Sequence, residues 1–124
     1  MIKLKKLIKE NYDKNIIINI WKECIKKALG FGDIDVPAIK ISNGKSYYAT
    51  FQYPRNGNFY DDFKNSILFV TKMAFDNDLE KVIQHEFTHC IMWKEYPNEK
   101  QSHGQKFISV HKAIFNEKPI MNID

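Results

Sequence analysis

Cysteine, arginine, glycine and proline are all scarce in this chain, and each scarcity removes a class of explanation. The 124 residues hold two cysteines, Cys24 and Cys90. They form no Cys-x-x-Cys pair, which excludes a cysteine-built zinc ribbon. Each sits in an apolar, helical-looking pattern, so two buried free thiols are expected rather than a disulfide. Arg55 is the lone arginine, leaving little for bidentate recognition of phosphate or guanine. With five glycines and four prolines there is no Pro/Gly/Ser linker or low-complexity block, and no internal repeat is visible. No apolar run approaches the ~20 residues of a spanning helix; Ile16 to Ile20 is interrupted by Asn19. The basic start, Met1-Ile2-Lys3-Leu4-Lys5-Lys6, leads into no unbroken apolar stretch or small-residue cleavage site. A secretory signal is therefore not expected, nor a membrane partner, and a cytoplasmic chain is the simpler expectation.

What is present suits one domain spanning 1–124, long enough for a single core and too short for two. Hydrophobic residues make up 44% and charged residues 27%, ordinary globular values that argue against disorder. The aromatic share of 14% helps so small a domain bury enough surface. The net charge is +4, and lysines concentrate early: Lys3, Lys5, Lys6, Lys9, Lys14, Lys22, Lys26 and Lys27. They could form a phosphate-attracting surface, although solvated faces of amphipathic helices are the preferred reading.

Periodicity divides the chain. Leu4, Leu7 and Ile8, then Ile17, Ile20, Trp21, Cys24, Ile25 and Leu29, recur at helical spacing. This predicts one or two helices over Ile2 to Leu29, with a break at Tyr12-Asp13-Lys14-Asn15 and a stop at Gly30. From Pro37 to about Thr71 the pattern turns β-like: Ala38 to Ile41, Tyr47 to Tyr53 and Ser66 to Val70, with turns at Asn43-Gly44 and Pro54 to Gly57. A sheet of three or four strands is predicted. A helix follows from Leu79 to about Tyr96, capped by Asn77 or Asp78, with Glu80 placed for a capping box from Asn77. Its solvent face is predicted at Lys81, Gln84, Thr88 and Glu95. After a loop, Pro97 to Ser102, another helix runs from about Gly104 to Phe115. The tail from Lys118 should add a short strand or pack along the surface. The fold class predicted is α+β.

The chemistry concentrates at His85-Glu86-Phe87-Thr88-His89. On a helix, residues four apart lie about 40° apart around the axis and roughly 6 Å apart along it. Both imidazoles can then reach one metal ion. Glu86, about 100° around from His85, flanks that ion where a base for a water molecule belongs. Val82, Trp93 and Tyr96 place the histidines on a largely apolar stripe. A core helix whose histidines merely bond backbone carbonyls is the plain alternative. One buried histidine invites it; two at this spacing, with Glu86 beside the first, do not.

Zinc needs at least a third protein ligand and an open position. Candidates are His103, His111, Glu95 and Glu99. A chain turning back after Pro97 brings His103 over the His85/His89 pair. Glu95 falls on the wrong face of the helix, and Glu99, early in the loop, is less constrained. His111 lies two turns past His103, about 12 Å along the axis, so a core or ligand-supporting role suits it better. His103 is the choice.

These residues, with Ser102-His103-Gly104-Gln105-Lys106-Phe107, resemble the SprT-like metallopeptidases over about Trp21 to Phe115. The family couples such a helix to a later His-Gly-x-x-aromatic element whose histidine is the third zinc ligand. The resemblance implies a minimal zincin-like fold: N-terminal helices, a small sheet, the active helix and one more helix. It also implies a zinc-dependent protease acting on protein or peptide substrates. Several members are linked to DNA and cleave proteins bound to it, and short versions occur in phage genomes. This chain shows no C-terminal zinc ribbon, so any DNA contact falls to the lysine-rich N-terminal region.

The expected mechanism is metal-assisted hydrolysis. Zn2+ held by His85, His89 and His103 lowers the pKa of a water towards ~7. Glu86 accepts its proton as it attacks the peptide carbonyl and can return it to the leaving amine. Tyr47, Tyr48, Tyr53 and Tyr60 are candidates for an added oxyanion donor. Tyr47–Tyr53 or Ser66–Val70 could offer a sheet edge to an extended substrate. The contrasting class is a non-catalytic or phage-encoded regulatory module keeping a zincin fold for protein or DNA contacts; retention of Glu86 argues against it.

Overall fold

The computed structural model describes residues 12–31 and 34–121. The predicted helical stretch before Tyr12, with Lys3, Lys5, Lys6 and Lys9, lies outside the described residues, as do the last three residues of the tail.

Helix α1 spans Lys14–Lys27 and starts where the sequence signals a break, because Asp13 accepts a hydrogen bond from the Asn15 N–H and caps it. It ends at Ala28, whose N–H bonds the Cys24 and Ile25 carbonyls, and Gly30 then turns left-handed at φ 99°. The apolar stripe Ile17, Trp21, Cys24 faces inward. Trp21 is fully buried. Its ring meets Phe87 edge-on at 5.0 Å and Phe51 at 5.8 Å, and its N–H donates to the Asp35 carbonyl at 2.9 Å. Burying a large apolar side chain stabilises by about 1.5–3 kcal/mol.

Three strands form the sheet among the described residues: β1 Ala38–Ser42, β2 Ala49–Gln52 and β3 Ile67–Thr71. Their order is β1-β3-β2. β1 runs parallel to β3, pairing Ile39 with Leu68, and β2 runs antiparallel to it, pairing Phe51 with Leu68. Leu68 and Val70 of β3 point into the core while Ile67 is exposed, the alternation of a half-buried strand. Because β3 is central, the Ser66–Val70 segment cannot offer a free edge; among the described residues β1 and β2 are the edges.

Two short helices had no periodic signal. Helix α2, Phe59–Lys64, is capped by the Asn58 side chain, which accepts from the Asp61 N–H. Buried Asp62 reaches back so that Oδ2 accepts from the backbone N–H of Asn56 at 3.1 Å and of Gly57 at 3.2 Å. That fixes the Pro54–Gly57 turn, where Gly57 takes φ 98°. Helix α3, Lys72–Phe75, follows β3 directly, with Thr71 as its cap.

Helix α4, Leu79–Glu95, is the centre of the molecule and packs on α1, on β2 and on the last helix, α5 (Gln105–Phe115). Its cap is Asp78, accepting from the Lys81 N–H. The capping box from Asn77 does not form, because Asn77 donates its side-chain amide back to the Met73 carbonyl. The predicted solvent face holds at Lys81 and Glu95, which are exposed, and fails between them: Gln84 is 5% exposed and Thr88 0%. Neighbours on several sides leave α4 little open surface, and the Thr88 hydroxyl and the Gln84 amide nitrogen are satisfied locally. Thr88 Oγ1 donates to the Gln84 carbonyl at 2.8 Å, and the Gln84 amide donates to Glu80 at 3.3 Å. The tail adds no strand through Met121; Ile120 packs against the core instead. The architecture is α+β, five helices with a small mixed sheet among the described residues, and fits a minimal zincin-like fold.

Candidate metal centre

His85 and His89 sit one turn apart on α4, and His103 arrives from the loop just before α5. Their Nε2 atoms converge. His85 and His89 are 3.1 Å apart, His85 and His103 3.1 Å, and His89 and His103 2.9 Å. A ring nitrogen is a donor when protonated and an acceptor when not. With three nitrogens facing one another, at least one contact must join two donors or two acceptors. Hydrogen bonding alone therefore leaves a conflict. A shared cation removes it, since all three can then offer a lone pair. This donor set fits a metal ion, and it is the three-membered ligand group found among the described residues.

The supports are specific. Phe107, 0% exposed, lies on the first turn of α5 and touches all three rings, with centroids 4.9 Å from His85, 4.6 Å from His89 and 5.3 Å from His103. It is the aromatic position of the His103-Gly104 element, and the ring contacts give that position its role: an apolar platform that holds the imidazole planes. Phe107→Leu is expected to cost about 1 kcal/mol of stability and to weaken metal retention roughly tenfold, the effect of loosening a ligand's orientation. Thermal melts and chelator competition would measure the two separately.

Gly104 is needed for space rather than for a left-handed backbone. A Cβ there would stand 2.5 Å from Gln101 Oε1 and 2.8 Å from Gln101 Cβ. Gly104→Ala must push the loop that carries His103. Metal affinity is expected to drop on the order of tenfold, and a second change, Gln101→Gly, should restore it in the same chelator assay. The loop is strapped at its base by Lys106, whose ammonium lies 4.2 Å from the Tyr96 ring centroid.

Glu86 is 2% exposed and lines, with His89, a cavity of about 630 Å3 that runs between β2, α2 and the C-terminal half of α4. Thr50 and Phe51 of β2 line it too. Of the four tyrosines considered, only Tyr53 does so; Tyr60 is largely exposed and Tyr47 and Tyr48 lie elsewhere. Glu95 and Glu99 are exposed and outside the ligand group. His111 is buried, its Nδ1–H donating to the Glu117 carbonyl at 2.8 Å. Burial lowers its pKa from 6.5, against the opposing pull of Glu117, so the ring stays neutral and secures the end of α5. Cys24 and Cys90 are free and buried; burial raises both thiols, Cys24 to about 12, which makes them inert.

The SprT-like family profile matches residues 21–124. The chain belongs to the SprT-like family. The match takes in the helix bearing His85, Glu86 and His89 and the element bearing His103 and Phe107. Comparison with curated proteins and with solved structures gives no significant match. Family membership and the three-histidine group together indicate a metallopeptidase-like domain able to bind a metal ion. No helix among the described residues is long and apolar enough to cross a membrane.

Proposed function

We propose that this chain is a zinc-dependent peptidase that hydrolyses peptide bonds in protein substrates, with His85, His89 and His103 as the metal ligands and Glu86 as the general base. One observation carries the reading: three imidazole nitrogens converge, and one of the three residues, His89, lines a cavity that Glu86 also lines. Imidazole suits several transition metals, and three protein ligands with an open position are the pattern of catalytic zinc.

When bound, the ion supplies Lewis-acid polarisation of the scissile carbonyl and acidifies a water. The protein does the rest. Glu86, held on a rigid helix beside His85, takes the proton of the attacking water on its carboxylate and passes it to the leaving amine. The free edge of β2, with Thr50 and Phe51 on the cavity wall, suits an extended substrate backbone. Exposed Lys14, Lys22, Lys26 and Lys27 on α1 would favour DNA-associated proteins only by non-specific phosphate attraction. Incubating the zinc-loaded protein with an unfolded protein substrate, beside its Glu86→Gln variant, tests the reading; no cleavage by zinc-loaded wild type would defeat it.

A further inference from the structure

The cavity beside Glu86 and His89 has an aromatic wall that metal binding does not use. Trp93 stands one turn beyond His89 on α4, so it projects from the same side of the helix. Tyr53, just past the C-terminal end of β2, stacks on it with centroids 3.8 Å apart and planes 25° apart. Phe59 of α2 meets Trp93 edge-on at 4.8 Å. All three line the cavity, together with Met92. The turn that leads from Tyr53 into α2 is pinned by Asp62, so the wall is built in place rather than assembled on contact.

We infer that this wall is the specificity subsite of the proposed peptidase, taking a large apolar or aromatic substrate side chain next to the scissile bond. The inference rests on the peptidase reading. Three facts favour an apolar occupant over a charged one. Lining cations Arg55, Lys94 and Lys100 are matched by Asp62, Glu86 and Glu99, so neither charge sign is selected. The nearest cations already have partners: Arg55 lies 5.2 Å from the Tyr53 centroid, and Lys94 lies 5.6 Å from that of Tyr60 and 3.7 Å from Glu95. Asp62 Oδ2 is committed to the turn. Ring carbon and the Met92 side chain make up the apolar part of the wall. The volume, about 630 Å3, lies within the range of pockets that bury small ligands, ample for one large side chain and its backbone.

The test is a set of peptides identical except at the residue beside the cleaved bond, carrying Phe, Leu, Ala, Asp or Lys. Zinc-loaded wild type is expected to cleave the Phe and Leu peptides at least about tenfold faster than the Ala, Asp and Lys peptides, a discrimination that apolar pockets supply. In Trp93→Ala the Phe-to-Ala ratio should fall towards one while zinc per chain stays at the wild-type value. Tyr53→Ala should show the same loss through a different residue, should Trp93→Ala fold poorly. Binding to Glu86→Gln protein, measured by calorimetry, should rank the peptides in the same order without any turnover. Cleavage of all five at similar rates would overturn the inference and leave the peptidase standing. Cleavage of none, with no ranked binding, would remove both.

Discussion

His103→Ala protein, purified beside wild type, is expected to lose its metal. Wild type should carry about one zinc ion per chain, whereas the variant should bind it more than about 100-fold more weakly, beyond the 10–100-fold typical of losing a group that only supports a ligand. His103 is the informative choice because it comes from a loop. His85 is 0% exposed in the core of α4, so its removal would mix cavity formation with ligand loss. Metal should also stabilise the fold: at a hundredfold excess over its dissociation constant, a ligand that binds only the folded state adds about 2.7 kcal/mol. That increment should be present in wild type, seen as a higher Tm with zinc than with chelator, and largely absent in His103→Ala. A wild-type chain that takes up no metal from a zinc-containing buffer would show that the three nitrogens serve another purpose.

Glu86→Gln is the second decisive substitution. It keeps the side chain's size and removes only the ability to accept a proton at neutral pH, at a position 2% exposed where shape matters. Zinc content should match wild type, since the ligands His85, His89 and His103 are untouched. Proteolysis should fall by about 10²–10⁴-fold, the usual contribution of a positioned general base. Assaying metal and turnover on the same sample separates loss of chemistry from loss of the site. Cleavage at the wild-type rate would exclude Glu86 as the base. A chain whose biological role survives the substitution would instead act by binding, through a fold that no longer needs its chemistry.

Helix α4 and its neighbours could be read from the residues because several local signals agree there. Leu79 to Tyr96 is periodic, lacks glycine and proline, and ends at Pro97; His85, Glu86 and His89 carry a spacing that chemistry constrains. β1 alternates at Ala38 to Ile41, β3 reads as a short apolar β-prone run, and Asp13 caps α1 where a break was visible. Other features depend on contacts between distant residues. Nothing local places β3 between β1 and β2, since strand order is a property of pairing across the sheet. Helix α2 is six residues long, too short to nucleate alone, and exists because Asn58 and Asp62 tie it to its own turn. Gln84 and Thr88 look like solvent-facing residues by type, yet packing around α4 buries them and their hydrogen bonds close within the helix. Phe107 was visible as an aromatic in a motif; only the three-dimensional arrangement shows one ring beneath three histidines.

Helix α4 has consequences for how such a protein can change. It presents His85, Glu86 and His89, and one turn later Trp93, while α1 and α5 both pack against it. On the proposed reading, metal retention, proton transfer and substrate preference would share one rigid rod. Drift in preference can proceed through Tyr53 or Phe59, whose elements carry no ligand, with little risk to the centre. A change made from the helix itself shifts several duties together, so variation should collect on the far wall of the cleft and spare the rod.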